Sequence, residues 1–355
     1  MLSNDKILDN QRKKEWLANR KKQLERNPDE LAMRIRQGDK VALSRGLTLV
    51  ESTRKNDHET ALTLLDKLRD QTGNSIRIGI TGVPGVGKST FIESFGQVLV
   101  EKGKKIAVLA IDPSSEKSGG SILGDKTRMN KLSQLPEVYI RPTASGGSLG
   151  GVAKRTRESI LLCEAAGFDV VIIETVGVGQ SETMVKEMVD FFLLLMLAGA
   201  GDELQGIKRG IMEMADALVI TKADGDNEAA AKRARNEYKN AMHLFPPNEN
   251  GWIPKAMTCS SYTNIGVPEV WETIESFANK MTLSGFLDAN RRGQEVYWFK
   301  ETLKEMLIAN FMDAKGMKER ILAAEKILFE GKGNAFADAK ELMQFYITQL
   351  TNAKN

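Results

Sequence analysis

Histidine and cysteine are scarce in this sequence. The 355 residues include two of each: His58, His243, Cys163 and Cys259. Two cysteines cannot build a disulfide framework, and they fit a reducing compartment, which predicts a cytoplasmic protein. Neither histidine stands at metal-ligand spacing from a cysteine, which argues against a zinc or nickel cluster. An excess of one charge is also missing: 50 basic residues face 47 acidic ones, for a net charge of +3. Bulk nucleic-acid binding is therefore not expected. The basic residues that do cluster, Arg12, Lys13, Lys14, Arg20, Lys21, Lys22 and Arg26, read as a solvated helix face. The N-terminus shows no apolar segment followed by a cleavage site, so no secretory signal is expected. The longest apolar run, Phe191 to Ala200, is too short to cross a bilayer. It predicts a buried strand and no membrane association.

What is present is ordinary for a globular chain, 41% hydrophobic and 27% charged, and enough to bury a sizeable core. Three regions separate. Residues 1–72 read as helices. Asn27 is placed to cap one of them, with Pro28 in its first turn and acids following. Apolar stripes (Leu31, Ile35, Val41, Leu43, Leu47, Val50) flank a break near Gly38. Over 73–279, short β-rich runs alternate with helical stretches. The runs are Ile76–Thr81, Ile106–Ile111, Val138–Arg141, Val170–Ile173, Phe191–Leu197, Ala217–Thr221 and Lys255–Cys259. Several are apolar almost throughout, as strands covered on both faces should be. The alternation predicts a doubly wound, mostly parallel α/β sheet, with ligands at the carboxyl ends of its strands. Over 280–355 the strand signal disappears. Leu303, Met306, Leu307 and Phe311, then Ile321, Ala324, Ile327 and Leu328, mark amphipathic helices suited to packing on the α/β domain or on a second subunit.

The strongest motif is Gly82-Val83-Pro84-Gly85-Val86-Gly87-Lys88-Ser89, which matches GxxxxGK[ST] in full. It follows a strand and opens a helix, the context a phosphate loop requires. Its glycines allow backbone conformations and close approach that a side chain would block. The loop amides and the helix N-terminus then face the β- and γ-phosphates. Lys88 adds a point charge there, Ser89 offers a hydroxyl to Mg²⁺, and Thr90 could reach the α-phosphate. The metal also needs acids. Asp112 ends the second strand, Asp125 lies in a glycine-rich segment, and Glu174 ends the strand VVIIE. Glu174 starts Glu174-Thr175-Val176-Gly177, an acid with a glycine three residues on, the form of a switch that senses the γ-phosphate. Its longer side chain, where many GTPases have Asp, favours contact through water. Either Asp112 or Gln180 could orient the attacking water. Hydrolysis is expected to be slow until a partner completes the site.

Thr221-Lys222-Ala223-Asp224 follows the strand ALVIT and resembles the guanine motif NKxD, with Thr in place of Asn. Asp224 would accept two hydrogen bonds from guanine, a pair adenine cannot supply. Lys222 would lay its stem over the ring. Cys259-Ser260-Ser261-Tyr262 follows the last strand, where a second loop would frame the base.

With these motifs placed, the sequence resembles the MeaB/ArgK-like P-loop GTPases, the group that includes the methylmalonic aciduria type A protein. The matching stretches are GVPGVGKST, AIDPSS, SGGSILGDKTRM, RPTASGGSLGGVA, IIETVGVGQSE, AGAGDELQGIKRG, ADALVITKADGDN and CSSYTNIGV. RPTASGGSLGGVA and AGAGDELQGIKRG are the most specific, because generic GTPases lack them. The resemblance implies a SIMIBI-type GTPase that binds GTP and GDP with Mg²⁺ and forms a homodimer through C-terminal helices. It implies a partner, a cobalamin-dependent acyl-CoA mutase such as methylmalonyl-CoA mutase, whose cofactor loading, protection or rescue the GTPase serves. Carried over, Asp112, Asp125 and Glu174 fall on switch acids, and Ala198–Lys208 falls on a third switch loop, with Asp202 and Lys208 as charged contacts. Two rival readings are an ATP-dependent kinase or ATPase linked to basic amino-acid transport, and a metal-insertion GTPase. The first is opposed by Asp224, the second by the lack of paired His or Cys ligands.

Overall fold

The computed structural model describes residues 27–52, 54–111, 129–143, 149–175, 181–199, 209–246, 248 and 250–352. The basic segment before residue 27, Asp112, Asp125, Gln180, Asp202 and Lys208 lie outside the described residues.

The described residues open with helices α1 (Pro28–Arg36), α2 (Lys40–Glu51) and α3 (Lys55–Leu68). The Asn27 side chain accepts from the Asp29 amide at 2.9 Å, with Pro28 in the first turn, so the predicted cap forms. Gly38 adopts φ +76°, a left-handed conformation that breaks the helical path. Asp39 then caps α2 by accepting from the amides of Val41 and Ala42.

The strands and helices that follow are β1 (Ile76–Gly82), α4 (Lys88–Glu101), β2 (Ile106–Ile111), β3 (Val138–Thr143), α5 (Leu149–Ala165), β4 (Val170–Thr175) and α6 (Ser181–Lys186). They continue as β5 (Phe191–Met196), α7 (Arg209–Met214), β6 (Ala217–Ile220), α8 (Glu228–Met242), β7 (Lys255–Thr258) and α9 (Val267–Leu283). Among the described residues, seven strands form one sheet in the order β3-β2-β4-β1-β5-β6-β7, and all neighbours run parallel. Every residue of β2, β4 and β5 is buried, which is why their sequences read as unbroken apolar runs. Aromatic contacts knit the core: Phe91 stacks on Phe95 at 5.4 Å, and Phe191 meets Phe277 edge-on at 5.0 Å. The amino-terminal helices pack against α5, and Lys40 Nζ donates to the Val138 carbonyl at 2.7 Å. β1 lies between β4 and β5, so its carboxyl end faces loops from both halves of the sheet.

The last helices are α10 (Phe286–Met312), α11 (Met317–Phe329) and α12 (Ala335–Asn352). The chain divides into two compact units, one reaching Gln294 and the other Glu295–Asn355. In the second unit, Phe311 and Tyr346 meet edge-on at 5.3 Å and Arg320 lies over the Phe345 ring at 3.8 Å. Helix α12 buries none of its residues, and Phe329 and Phe336 are 95% and 90% exposed. No described helix is long and apolar enough to cross a membrane.

Candidate functional site

The site is built at the carboxyl ends of β1, β4 and β6, beginning with the glycine-rich loop. A Cβ on Gly82 would lie 2.5 Å from the Leu195 carbonyl oxygen, so β5 comes too close for any side chain there. Gly85 and Gly87 take φ of +76° and +90°, the left-handed conformations that turn the loop before α4 starts at Lys88. Between them Val86, 1% exposed, anchors the loop to the core. Val83 is half-buried, while Pro84, Gly85 and Thr90 are exposed. Lys88 Nζ donates to the Gly82 carbonyl at 2.8 Å, beside the loop. Burial pushes its pKa down, and the carboxylates of Glu174 and Glu182 oppose that shift.

Glu174, near the end of β4, brings an acid to the helix start. Ser89 Oγ donates to its Oε1 at 3.1 Å. Next to this pair, Thr175 Oγ1 donates to Thr81 Oγ1 at 2.8 Å, joining the ends of β4 and β1 in a fully buried contact. A hydroxyl beside a carboxylate is the hard-oxygen set that suits Mg²⁺, which keeps waters and phosphate oxygens as its other ligands. Among the described residues, no group of three or more His, Cys, Asp or Glu side chains could hold a metal ion by itself.

The second half of the site follows β6. Thr221 is buried, and its hydroxyl donates to the Val86 carbonyl at 2.8 Å. The hydroxyl in place of the Asn amide therefore still ties this loop to the phosphate loop. Lys222 takes φ +54° and donates to the Gly85 carbonyl at 3.0 Å, so its stem crosses the space between the two loops. Asp224 is held by Ser260, whose hydroxyl donates to its Oδ2. Ser260 Oγ in turn accepts from the amides of Tyr262 and Thr263 at 3.2 and 3.1 Å. Ser260 is fully buried, Ser261 half-buried and Tyr262 exposed. Gly266 closes the loop at φ +81°, where an added Cβ would lie 2.3 Å from the Thr258 carbonyl. Burial raises the Cys259 thiol to about 12, which leaves it a packing residue.

The structure thus brings together Lys88, Ser89 and Glu174 on one side, and Thr221, Lys222, Asp224 and Ser260 on the other. Motif reading gives no role to Thr81, Thr175 or Glu182, and it takes Ser260 as part of a loop that frames the base rather than as a side-chain grip on Asp224. The Thr81–Thr175 contact joins residues 94 positions apart, which no local spacing could reveal.

A parallel sheet with a phosphate loop after its central strand and an aspartate loop after β6 defines a P-loop GTPase. The family model described as "Methylmalonyl Co-A mutase-associated GTPase MeaB" matches residues 43–316, and the chain belongs to that family. It is 49% identical over 279 residues to the GTPase ArgK of Escherichia coli, covering 79% of this chain and 84% of that protein. It is 44% identical over 313 residues to the mitochondrial methylmalonic aciduria type A homolog of Mus musculus, covering 85% of this chain and 75% of that one. A crystal structure described as a LAO/AO transport system kinase superposes with a TM-score of 0.70 at 37% identity, covering 90% of this chain and 97% of that one. As a member of this family the chain is a GTPase and binds guanine nucleotides.

Proposed function

We propose that this GTPase is a chaperone of a cobalamin-dependent acyl-CoA mutase of the methylmalonyl-CoA mutase kind, and that its nucleotide state governs the mutase's cofactor loading, protection or reactivation. The observation that carries the reading is the family match across 43–316, which takes in every loop of the site. In this reading Lys88 and the amides of Gly82–Ser89 hold the β- and γ-phosphates, and Thr90 reaches the α-phosphate. Ser89 and Glu174, with Asp112 and Asp125, hold Mg²⁺ directly or through water. When bound, the ion offsets charge on the phosphate oxygens. Asp224 accepts from the guanine ring, fixed by Ser260, while Lys222 covers one ring face and the Ser260–Tyr262 loop frames the edge. Lys88, Asp112 and Glu174 are the residues that we assign to catalysis. Hydrolysis stays slow until the mutase docks.

The proposed organisation is a helical region (1–72), a GTPase domain (73–279) and a dimerising helical region (280–355). Support for the dimer comes from α12, which buries nothing, and from the exposed Phe329 and Phe336. Apolar surface of that kind is covered most simply by a second copy. Light scattering should report a dimer at micromolar concentration, and a monomer would refute it. A cytoplasmic location fits the two free, buried cysteines.

The test is steady-state hydrolysis of GTP and ATP with Mg²⁺, with and without purified methylmalonyl-CoA mutase. GTP-selective turnover accelerated by the mutase is the expected result. Turnover that ignores the mutase would remove that partner. The likeness to the LAO/AO transport system kinase favours a second reading, a kinase serving basic amino-acid transport. That reading predicts ATP preference and phosphate transfer rather than release.

A further inference from the structure

Glu182, the last residue of the stretch IIETVGVGQSE, carries no role in the motif reading, yet it is 2% exposed in the first turn of α6. The segment running from α6 into β5 lies along β1. A Cβ on Gly79 would come within 2.9 Å of Val185 Cγ1 and 3.2 Å of Val189 Cγ2. Further on, the Asp190 amide donates to the Arg77 carbonyl at 2.8 Å. From Val185 to Asp190 the chain therefore travels toward the amino end of β1. Glu182 shares a helix face with Val185, one turn earlier. It consequently lies on the other side of Gly79, toward Gly82 and the phosphate loop. Lys88 Nζ is placed there, 2.8 Å from the Gly82 carbonyl. The charge of Glu182 acts on Lys88 together with that of Glu174. A buried carboxylate persists only where positive charge or donors compensate it, and Lys88 supplies such charge.

We propose that Glu182 is a built-in counter-charge to Lys88, a positioning residue that competes with the nucleotide's phosphates and so limits how tightly GTP and GDP are held. The inference rests on reading Lys88 as the phosphate lysine. A nucleotide must take over a cation that already sits in the field of two carboxylates, and its own charge meets Glu182 across a poorly screened interior. Both effects weaken binding. The γ-phosphate adds charge, so both act more on GTP than on GDP. The outcome is a site that exchanges nucleotide readily.

Binding and dissociation of N-methylanthraniloyl-GTP and -GDP test this on the full-length chain, for the wild type and for Glu182→Gln, Glu182→Met, Glu182→Asp and Lys88→Ala. The two neutral variants should hold the GTP analogue about tenfold more tightly, chiefly through slower dissociation, and the GDP analogue by a smaller factor. Glu182→Asp keeps the charge and should stay near the wild type, a distinction that a merely structural role would not make. Unchanged or weaker binding by a folded neutral variant overturns the proposal. So does loss of folding in both neutral variants, which would assign Glu182 to the core. If Lys88→Ala binds like the wild type, the phosphate-site reading itself fails. If Lys88→Ala loses binding and the neutral variants do not tighten, only the role of Glu182 falls.

Discussion

Replacing Asp224 with Asn isolates the base-recognition argument, because it changes one oxygen into an NH₂ group with little change of shape. The Asp224 carboxylate offers two oxygens, and Ser260 already donates to one of them, Oδ2. Each oxygen has room for a second donor, so the group can hold the Ser260 hydroxyl and still accept two N–H bonds from guanine. An Asn in its place cannot. Its nitrogen must face either the Ser260 hydroxyl or a guanine N–H, a donor against a donor, and the remaining oxygen accepts without a charge. Losing one charge-assisted bond and opposing two donors costs about 3 kcal/mol, roughly a hundredfold in Kd. The same NH₂ group can donate to the 2-carbonyl of xanthine, so xanthosine triphosphate should gain affinity as GTP loses it. Equilibrium titration with fluorescent GTP, competed by xanthosine triphosphate and ATP, reads both changes. Unaltered GTP affinity in Asp224→Asn would refute the assignment of this loop to guanine. Ser260→Ala is the milder companion. It releases Asp224 from its anchor and should weaken GTP about tenfold without changing which base is preferred.

Other parts of the structure make equally direct predictions. The Glu164 carboxyl is desolvated, which alone would raise its pKa, but hydrogen bonds and charge from Arg77, with Ser75 and the Gly73 amide, hold it below the ordinary glutamate value. A lowered folded value means that its contribution is complete above the unfolded pKa of about 4.3 and is lost as pH falls through the folded one. Glu164→Gln should therefore cost about 3 kcal/mol in urea unfolding at pH 7 and less as the pH drops below about 4, and a penalty independent of pH would contradict this. Gly82→Ala places a Cβ 2.5 Å from a β5 backbone carbonyl that cannot turn aside as a flexible side chain would, so nucleotide binding should fall below detection in a titration. Cys163 and Cys259 are buried and burial raises both thiols, so native protein at pH 8 should show no rapidly reacting thiol toward a chromogenic disulfide, whereas urea-unfolded protein should show both.

The order of elements was legible because the strands are buried on both faces and the turns between them carry glycine or charge. Every predicted strand forms, and the ends drift where a second rule operates. The sequence pattern ends the third strand at Arg141, before a proline, whereas β3 continues through Pro142 to Thr143. β3 is an edge strand, where a residue without an N–H is tolerated. The phosphate loop and Asp224 were legible because their chemistry is local: consecutive amides, or one acid after one strand. Thr81 with Thr175, Asp224 with Ser260, and Glu174 with Ser89 as a direct contact were not. Each pairs residues that only the sheet brings together, and no period or spacing in a single sequence encodes such a meeting.

The amino end of the sheet shows what holds those meetings in register. Strands such as VVII and FFLLL are apolar on both faces, so a one-residue slip would exchange one hydrophobic surface for another at little cost. An aspartate precedes each of β4, β5 and β6, and each solves this in the same way. Asp169 Oδ2 accepts from the Lys105 amide at 2.7 Å, Asp190 Oδ2 from the Arg77 amide at 2.8 Å, and Asp216 Oδ2 from the Phe192 amide at 2.8 Å. In all three, the aspartate's own amide donates back to the carbonyl of the same partner residue. Each pair of strands thus begins at a fixed pairing that a slip would break, leaving a carboxylate without its amide. Arg291 and Lys186 add charge to Asp190 and Asp216. Buried ion pairs of this kind contribute little net stability, but breaking one is costly, and that asymmetry selects a single register. The register fixed at the amino end sets which residues arrive together at the other, where Thr81 meets Thr175 and Glu174 meets Ser89. The nucleotide site is therefore positioned from the opposite edge of the sheet, by residues that never touch the nucleotide.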